Sequence, residues 1–141
     1  MTEDDLKKRT KLFALRILKL VAALPRIIAG KTIANQLARS GTSVAANYRA
    51  ACRARSKVEF VSKLGIVEEE ADESALWLEL IIEGDLMKRS LVEPLWSEAN
   101  EIVAIITSSR KSAGRSLVSV GSAKGLRPRS NVTIANQKSK I

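Results

Sequence analysis

The chain has 141 residues, 45% of them hydrophobic and only 4% aromatic, and carries a formal net charge of +9 with no histidine. That is one domain's worth of chain, and its core must be built from Leu, Ile, Val and Ala, which favours helices packed on helices over a sheet. The missing histidine removes the commonest general base and metal ligand, and a single cysteine, Cys52, excludes an intrachain disulfide and fits a reducing compartment.

The first residues, Met1-Thr2-Glu3-Asp4-Asp5, place acids where a secretory signal carries cations. Lys7, Lys8, Arg9, Lys11, Arg16 and Lys19 then break up the apolar stretches, and the longest uninterrupted apolar runs fall far short of a membrane span. A cytoplasmic protein without membrane contact is expected.

Helix 1 is predicted over residues 3–24. Thr2 can cap it, and the early acids suit the positive end of a helix. Leu6, Phe13, Ile17, Leu20 and Leu24 recur at spacings of three, four and seven and form one apolar stripe. Pro25 closes the helix, because the residue before a proline avoids the helical region. Helix 2 covers residues 32–54, with a start as early as residue 26 left open. At ~100° per residue, Ile33, Leu37, Val44, Tyr48 and Ala51 gather on one side, and Arg39, Arg49, Arg53 and Lys57 on the other. Between them runs Ser40-Gly41-Thr42-Ser43-Val44-Ala45-Ala46-Asn47. Such small residues are poor helix material, Gly alone costing ~1 kcal/mol against Ala, and they make sense where another helix crosses very close.

Helix 3 opens at a capping-box pattern, with Ser56 and Glu59 three apart just before Phe60. Phe60, Leu64, Val67, Ala71, Leu78 and Ile81 form its stripe, and Ile66, Glu70, Glu73 and Trp77 lie along its flank. A Trp beside carboxylates outside the main stripe marks either a second contact surface, such as a subunit interface, or a bundle edge. Helix 4 begins between residues 90 and 94. Ser90 and Glu93 repeat the capping-box pattern, while Pro94 fits best in a first turn. Leu95, Ala99, Ile102 and Ile106 supply its stripe, and it is expected to fade near Ser109. Short connections make an antiparallel up-down four-helix bundle the simplest all-α topology.

After Glu101 there is no acid. Arg110, Lys111, Arg115, Lys124, Arg127, Arg129, Lys138 and Lys140 are 8 positive charges against none from residue 107 onward, so residues 1–106 hold 16 basic and 15 acidic side chains, a net of +1. The end of the chain is rich in Ser, Gly, Lys and Asn without a hydrophobic period, which predicts a bundle over residues 1–112 and a disordered basic tail over residues 113–141. Such a tail reads as a polyanion-binding arm or as a solubilising terminus under little constraint.

The run Gln36-Leu37-Ala38-Arg39-Ser40-Gly41-Thr42-Ser43-Val44-Ala45-Ala46-Asn47, continued by Tyr48-Arg49, Ala54-Arg55-Ser56, Glu59-Phe60, Lys63-Leu64, Glu70-Ala71 and Trp77-Leu78, resembles the bacterial four-helix-bundle proteins called 23S rRNA intervening-sequence proteins. The resemblance spans residues 13–106 and implies a bundle that commonly assembles into a pentameric ring. In that family some members are encoded within intervening sequences of large ribosomal RNA genes, and similar bundles serve as accessory proteins in diversity-generating retroelements, engaging RNA and a reverse transcriptase. It implies no catalytic residues. One departure is Ala50-Ala51, where the family usually has Glu-Ala after Asn-x-Arg, so a carboxylate able to pair with a neighbouring Arg is missing.

The chemistry-bearing residues do not assemble into an active site. A ferritin-like di-iron centre needs Glu-x-x-His motifs, which a chain without histidine lacks. Glu69, Glu70, Asp72 and Glu73 are spread around helix 3 and read as a solvated face. Cys52 has Arg53 and Arg55 beside it, which would lower a thiol pKa, but no partner base exists, so packing is its expected role. No enzyme, catalytic group, metal or cofactor is expected. The candidate nucleic-acid-binding residues are Arg39, Arg49, Arg53 and Lys57, whose guanidinium forks and ammonium suit phosphate; the competing reading pairs them with Glu69, Glu70 and Glu73 or with a neighbouring subunit. The expected partners are further copies of the chain with RNA or DNA, contacted without base reading because no stacking platform is visible. The alternative is a protein–protein adaptor that binds a protein partner and no nucleic acid.

Overall fold

A computed structural model describes residues 1–123 as four helices, α1 (Glu3–Ala22), α2 (Ile28–Cys52), α3 (Lys57–Glu83) and α4 (Arg89–Ala123), with no strand among the described residues. Helix α1 packs on α2, α2 on α3 and α3 on α4, and α4 closes on α1 along the narrowest seam. The backbones of the diagonal pairs do not approach as closely, so α1 and α3 stand at opposite corners of an antiparallel up-down bundle. The apolar stripes face inward: Leu6, Phe13, Ile17, Leu20 and Leu24 are buried, as are Ile33, Leu37, Val44, Tyr48 and Ala51, then Leu64, Val67, Ala71, Leu78 and Ile81, then Val92, Leu95, Ala99, Ile102 and Ile106. Phe60 is half-buried at the edge.

The ends of the helices show which local signals decide. Thr2 Oγ1 accepts from the Asp5 backbone N–H at 3.1 Å and Asp5 accepts from the Thr2 N–H at 3.0 Å, a reciprocal cap built with Asp. At α3 the Ser56 hydroxyl accepts from the Glu59 N–H at 3.1 Å, but the Glu59 carboxylate reaches the N–H of Arg55 at 3.2 Å instead of that of Ser56. Helix α2 starts at Ile28, between the two expected starts, with Ile27 as a cap that offers no side-chain acceptor. It ends at Cys52, with Arg53 as the C-cap, so Lys57 is the first residue of α3 and not an extension of the α2 face.

Helix α4 corrects two expectations. It opens at Arg89, so Ser90 and Glu93 already lie inside it and form no capping box, and Pro94 sits within the helix beyond its first turn. It also runs past Ser109 to Ala123. The partner explains the extension as far as Ser116: α3 supplies polar contacts down to its first residue. Arg110 Nε donates to Glu68 at 2.7 Å, Thr107 donates to the same carboxylate, and Lys57 Nζ donates to Ser116 Oγ at 3.0 Å. Residues 113–123, expected in a disordered tail, are therefore helical, and the rest of that expected tail, residues 124–141, lies outside the described residues.

The small-residue run of α2 is where neighbouring helices come closest. A Cβ on Gly41 would stand 2.8 Å from Cγ1 and Cγ2 of Ile17 in α1. One residue earlier, the fully buried Ser40 hydroxyl lies 2.9 Å from the hydroxyl of Ser74 in α3, itself 2.9 Å from the Glu70 carbonyl. One step of α2 thus touches both neighbours, which a larger side chain would hold apart.

Candidate nucleic-acid interface

The four candidate cations do not form one face. Arg39, in the middle of α2, is held by α3: NH1 donates to Glu70 at 3.1 Å, and NH2 is paired with Glu73. Trp77 Nε1 donates to the same Glu73 at 3.1 Å. The knot ties α2 to α3 and answers the charge of Arg39 with two carboxylates. Trp77 is thereby a half-buried residue at the edge of the bundle, and Trp96 is its counterpart, donating from α4 to Glu79 of α3 at 3.0 Å.

Arg49 and Arg53 lie at the other end of α2, ten and fourteen residues beyond Arg39, about 15–20 Å away along the helix. Both are exposed, and among the described residues neither has an ion-pair partner. Lys57 follows across the four-residue turn, and its bond to Ser116 places the end of α4 beside that turn. Lys111 and Arg115 are exposed on the same stretch of α4. Arg55, within the turn, is exposed and 4.0 Å from Glu59. Arg49, Arg53, Arg55, Lys57, Lys111 and Arg115 thus share one end of the bundle. The acids there are Glu59 and, at the start of α1, Glu3, Asp4 and Asp5, of which Asp4 is 3.9 Å from Lys7. Thr2, donating and accepting at the helix cap, holds the Asp5 carboxyl below its ordinary range.

Cys52 sits half-buried at this end. Burial and a hydrogen bond with Glu3 push its thiol up, the reverse of what Arg53 and Arg55 would do alone, since those side chains point to solvent. Burial pushes the neighbouring Tyr48 hydroxyl up as well. A thiol held protonated beside a buried phenol is a packing group. The carboxylates of α3 point apart: Glu68 goes to α4, Glu70 and Glu73 go to Arg39, and Asp72 faces solvent. No three of the Cys, Asp and Glu side chains converge on a metal-sized space among the described residues.

A second, smaller link ties α1 to α4. Arg9 donates to both carboxylate oxygens of Glu98 at 2.7 Å and lies 3.2 Å from Glu101. The bond to Glu98 raises the Arg9 guanidinium above its ordinary range.

With the bundle and its charges placed, comparison with known proteins is decisive at the level of family. The sequence pattern of the 23S rRNA-intervening sequence protein family matches residues 3–108. The chain belongs to that family. A crystal structure of a protein with unknown function from the S23 ribosomal protein family of Bacteroides thetaiotaomicron VPI-5482 is 34% identical, with 79% of this chain and 99% of that one covered and a TM-score of 0.70. No functionally curated protein matches the chain.

The basic end was hidden in the sequence because three elements build it. Arg49 and Arg53 share a helical period, but Lys111 and Arg115 reach them only through the extra turns of α4. The signal that could have revealed this is the absence of any acid after Glu101, combined with the length α3 demands of its partner.

Proposed function

We propose that this 23S rRNA-intervening sequence protein is a non-enzymatic, homo-oligomeric scaffold, with the pentamer implied by the resemblance as its expected size, whose basic end grips the phosphate backbone of RNA or DNA. The observation that carries the reading is the gathering of Arg49, Arg53, Arg55, Lys57, Lys111 and Arg115 at one end of the bundle, with only Glu59 and the first acids of α1 to offset them. The sequence after α4 adds Lys124, Arg127, Arg129, Lys138 and Lys140 with no acid. Assembly multiplies the charge, because each copy brings the same patch, and several phosphate contacts made together give a steep dependence on salt. Arg39 is left out of this surface because Glu70 and Glu73 answer its charge.

The test is a gel-shift titration of the full chain with labelled single- and double-stranded RNA and DNA. Binding at ~50 mM salt that collapses by ~200 mM is expected. No shift at the lower salt, together with capture of one stoichiometric protein partner after nuclease treatment, would establish the adaptor reading instead.

A further inference from the structure

Two faces of the bundle carry apolar side chains that the fold leaves uncovered. On α1, Leu12 and Leu15 are each 56% exposed and Leu18 is 45% exposed. On α3, Ile66 is 37%, Leu76 47% and Leu80 41% exposed. Single exposed leucines are ordinary. These are not single. At ~100° per residue, Leu12, Leu15 and Leu18 cluster on the side of α1 away from Phe13 and Ile17. By the same rotation, Ile66, Leu76 and Leu80 fall within one quarter-turn on the side of α3 away from Val67 and Leu78. They make a second stripe on a helix whose first stripe already fills the core.

The two faces differ in sign. The exposed charges among the α1 leucines are Lys8, Lys11 and Lys19, with Asp4 near the start of the helix. Those around the α3 stripe are Glu69, Asp72 and Glu83, with Glu73 committed to Arg39 and the half-buried cation Lys63 on the flank toward α2. The two helices occupy opposite corners and run in the same direction. They are also level: Ile17 meets Gly41 and Ser74 meets Ser40, one step apart on α2. Leu12 to Leu18 therefore lie at the height of the stretch from Ile66 to Leu76.

We infer that α1 of one copy docks in parallel against α3 of the next, leucine stripe on apolar stripe, with Lys8, Lys11 and Lys19 facing Glu69 and Asp72. This rests on the self-assembly proposed above and assigns the faces that perform it. A self-complementary contact is disfavoured on either face, because α1 on α1 opposes lysines and α3 on α3 opposes carboxylates. The contact is head-to-tail, so it propagates from copy to copy and closes into a ring when the turn between neighbours permits.

The experiment uses two full-length variants, Leu15→Glu and Leu76→Lys, with wild type, by light scattering and analytical ultracentrifugation. Both positions are exposed, and far-UV circular dichroism identical to wild type confirms that each variant folds. Each variant alone is expected to be monomeric. Mixed, they should re-associate, since Leu15→Glu keeps an intact α3 face to receive the intact α1 face of Leu76→Lys. A wild-type oligomer that survives either substitution, or folded variants that do not pair on mixing, overturns the face assignment and leaves self-assembly standing. A wild type that is monomeric at every concentration overturns both, including the case in which the faces pair only with a different protein.

Discussion

Gly41 of α2 lies so close to Ile17 of α1 that a Cβ at position 41 would stand 2.8 Å from two carbons of that side chain. Ile17 is fully buried and branched at Cβ, so it cannot swing aside. Gly41→Ala is expected to destabilise the bundle by about 1–3 kcal/mol through overpacking, although Ala is the better helix former by ~1 kcal/mol. Urea unfolding measures the loss. In an Ile17→Ala background, where both clashing carbons are gone, the same substitution should turn neutral or stabilising. An equal loss in both backgrounds would show that the contact is not the cause.

Gly30→Ala should cost more. A Cβ there would fall 1.9 Å from the carbonyl oxygen of Pro25, where the α1–α2 turn folds back on α2. The obstacle is backbone, so relief requires moving the turn itself. The loss is expected at or above the upper end of the ~1–3 kcal/mol usual for overpacking, read as a larger drop in Tm than Gly41→Ala gives.

These two glycines bear on how much of the fold was legible. The crossing at Gly41 was foreseeable, because a Ser-Gly-Thr-Ser run weakens a helix unless a close neighbour compensates. The stripes were legible because Leu, Ile, Val and Ala at a 3.6-residue period leave one face for burial. The start of α2 was not, because Ile27 provides no capping oxygen and nothing local distinguishes Arg26 from Thr32 as a start. The run of α4 past Ser109 was not, because the contacts that hold it as far as Ser116 come from α3 and not from its own Ser- and Gly-containing sequence. The site suffered likewise. Helical period put Arg39 with Arg49 and Arg53, but the carboxylates that neutralise Arg39 belong to another helix, 31 and 34 residues later.

Glu68 provides a pH test. Burial pushes its carboxyl up, but the bonds from Arg110 and Thr107 outweigh burial and hold it below the ordinary 4.5. A group whose folded value is depressed binds fewer protons in the folded state, so its contribution is fully present above the ordinary glutamate value and is lost as pH falls through the lower folded one. Glu68→Gln is expected to cost about 1 kcal/mol at neutral pH, and the gap to wild type should close as the pH drops below 4.5. Denaturant melts from neutral to acid pH check it; a constant gap would assign the loss to packing.

Asp85 is the one non-glycine residue with positive φ among the described residues, at 54°. It follows Gly84 after α3, and Leu86 N–H returns to the Ile81 carbonyl at 3.0 Å, the wide bond of a helix-ending turn. Gly84 has an ordinary φ of −84°, so the glycine stands one place before the position that needs it. Asp85→Gly is expected to stabilise by up to about 1 kcal/mol, and Asp85→Ala to destabilise. A Tm series of the three proteins separates left-handed strain from any role of the carboxylate, since a carboxylate contact would make Gly as harmful as Ala.

The basic end and the Arg39 knot predict opposite phenotypes. Arg49→Ala and Arg53→Ala remove exposed cations at the end of α2 that have no ion-pair partner among the described residues, so their melting curves should match wild type while nucleic-acid binding weakens. Each cation–phosphate pair removed should shrink the slope of log affinity against log salt by roughly 0.7–0.9. Arg39→Ala should do the reverse. It leaves Glu70 and Glu73 without their cation and loosens the α2–α3 seam, lowering the Tm, while affinity at fixed salt stays within about twofold because every phosphate-facing cation is still in place. Binding titrations at several salt concentrations, paired with thermal melts of the same preparations, read both. If Arg39→Ala flattens the salt slope and Arg53→Ala does not, the phosphate-gripping surface lies along the middle of α2 and the proposed end is wrong.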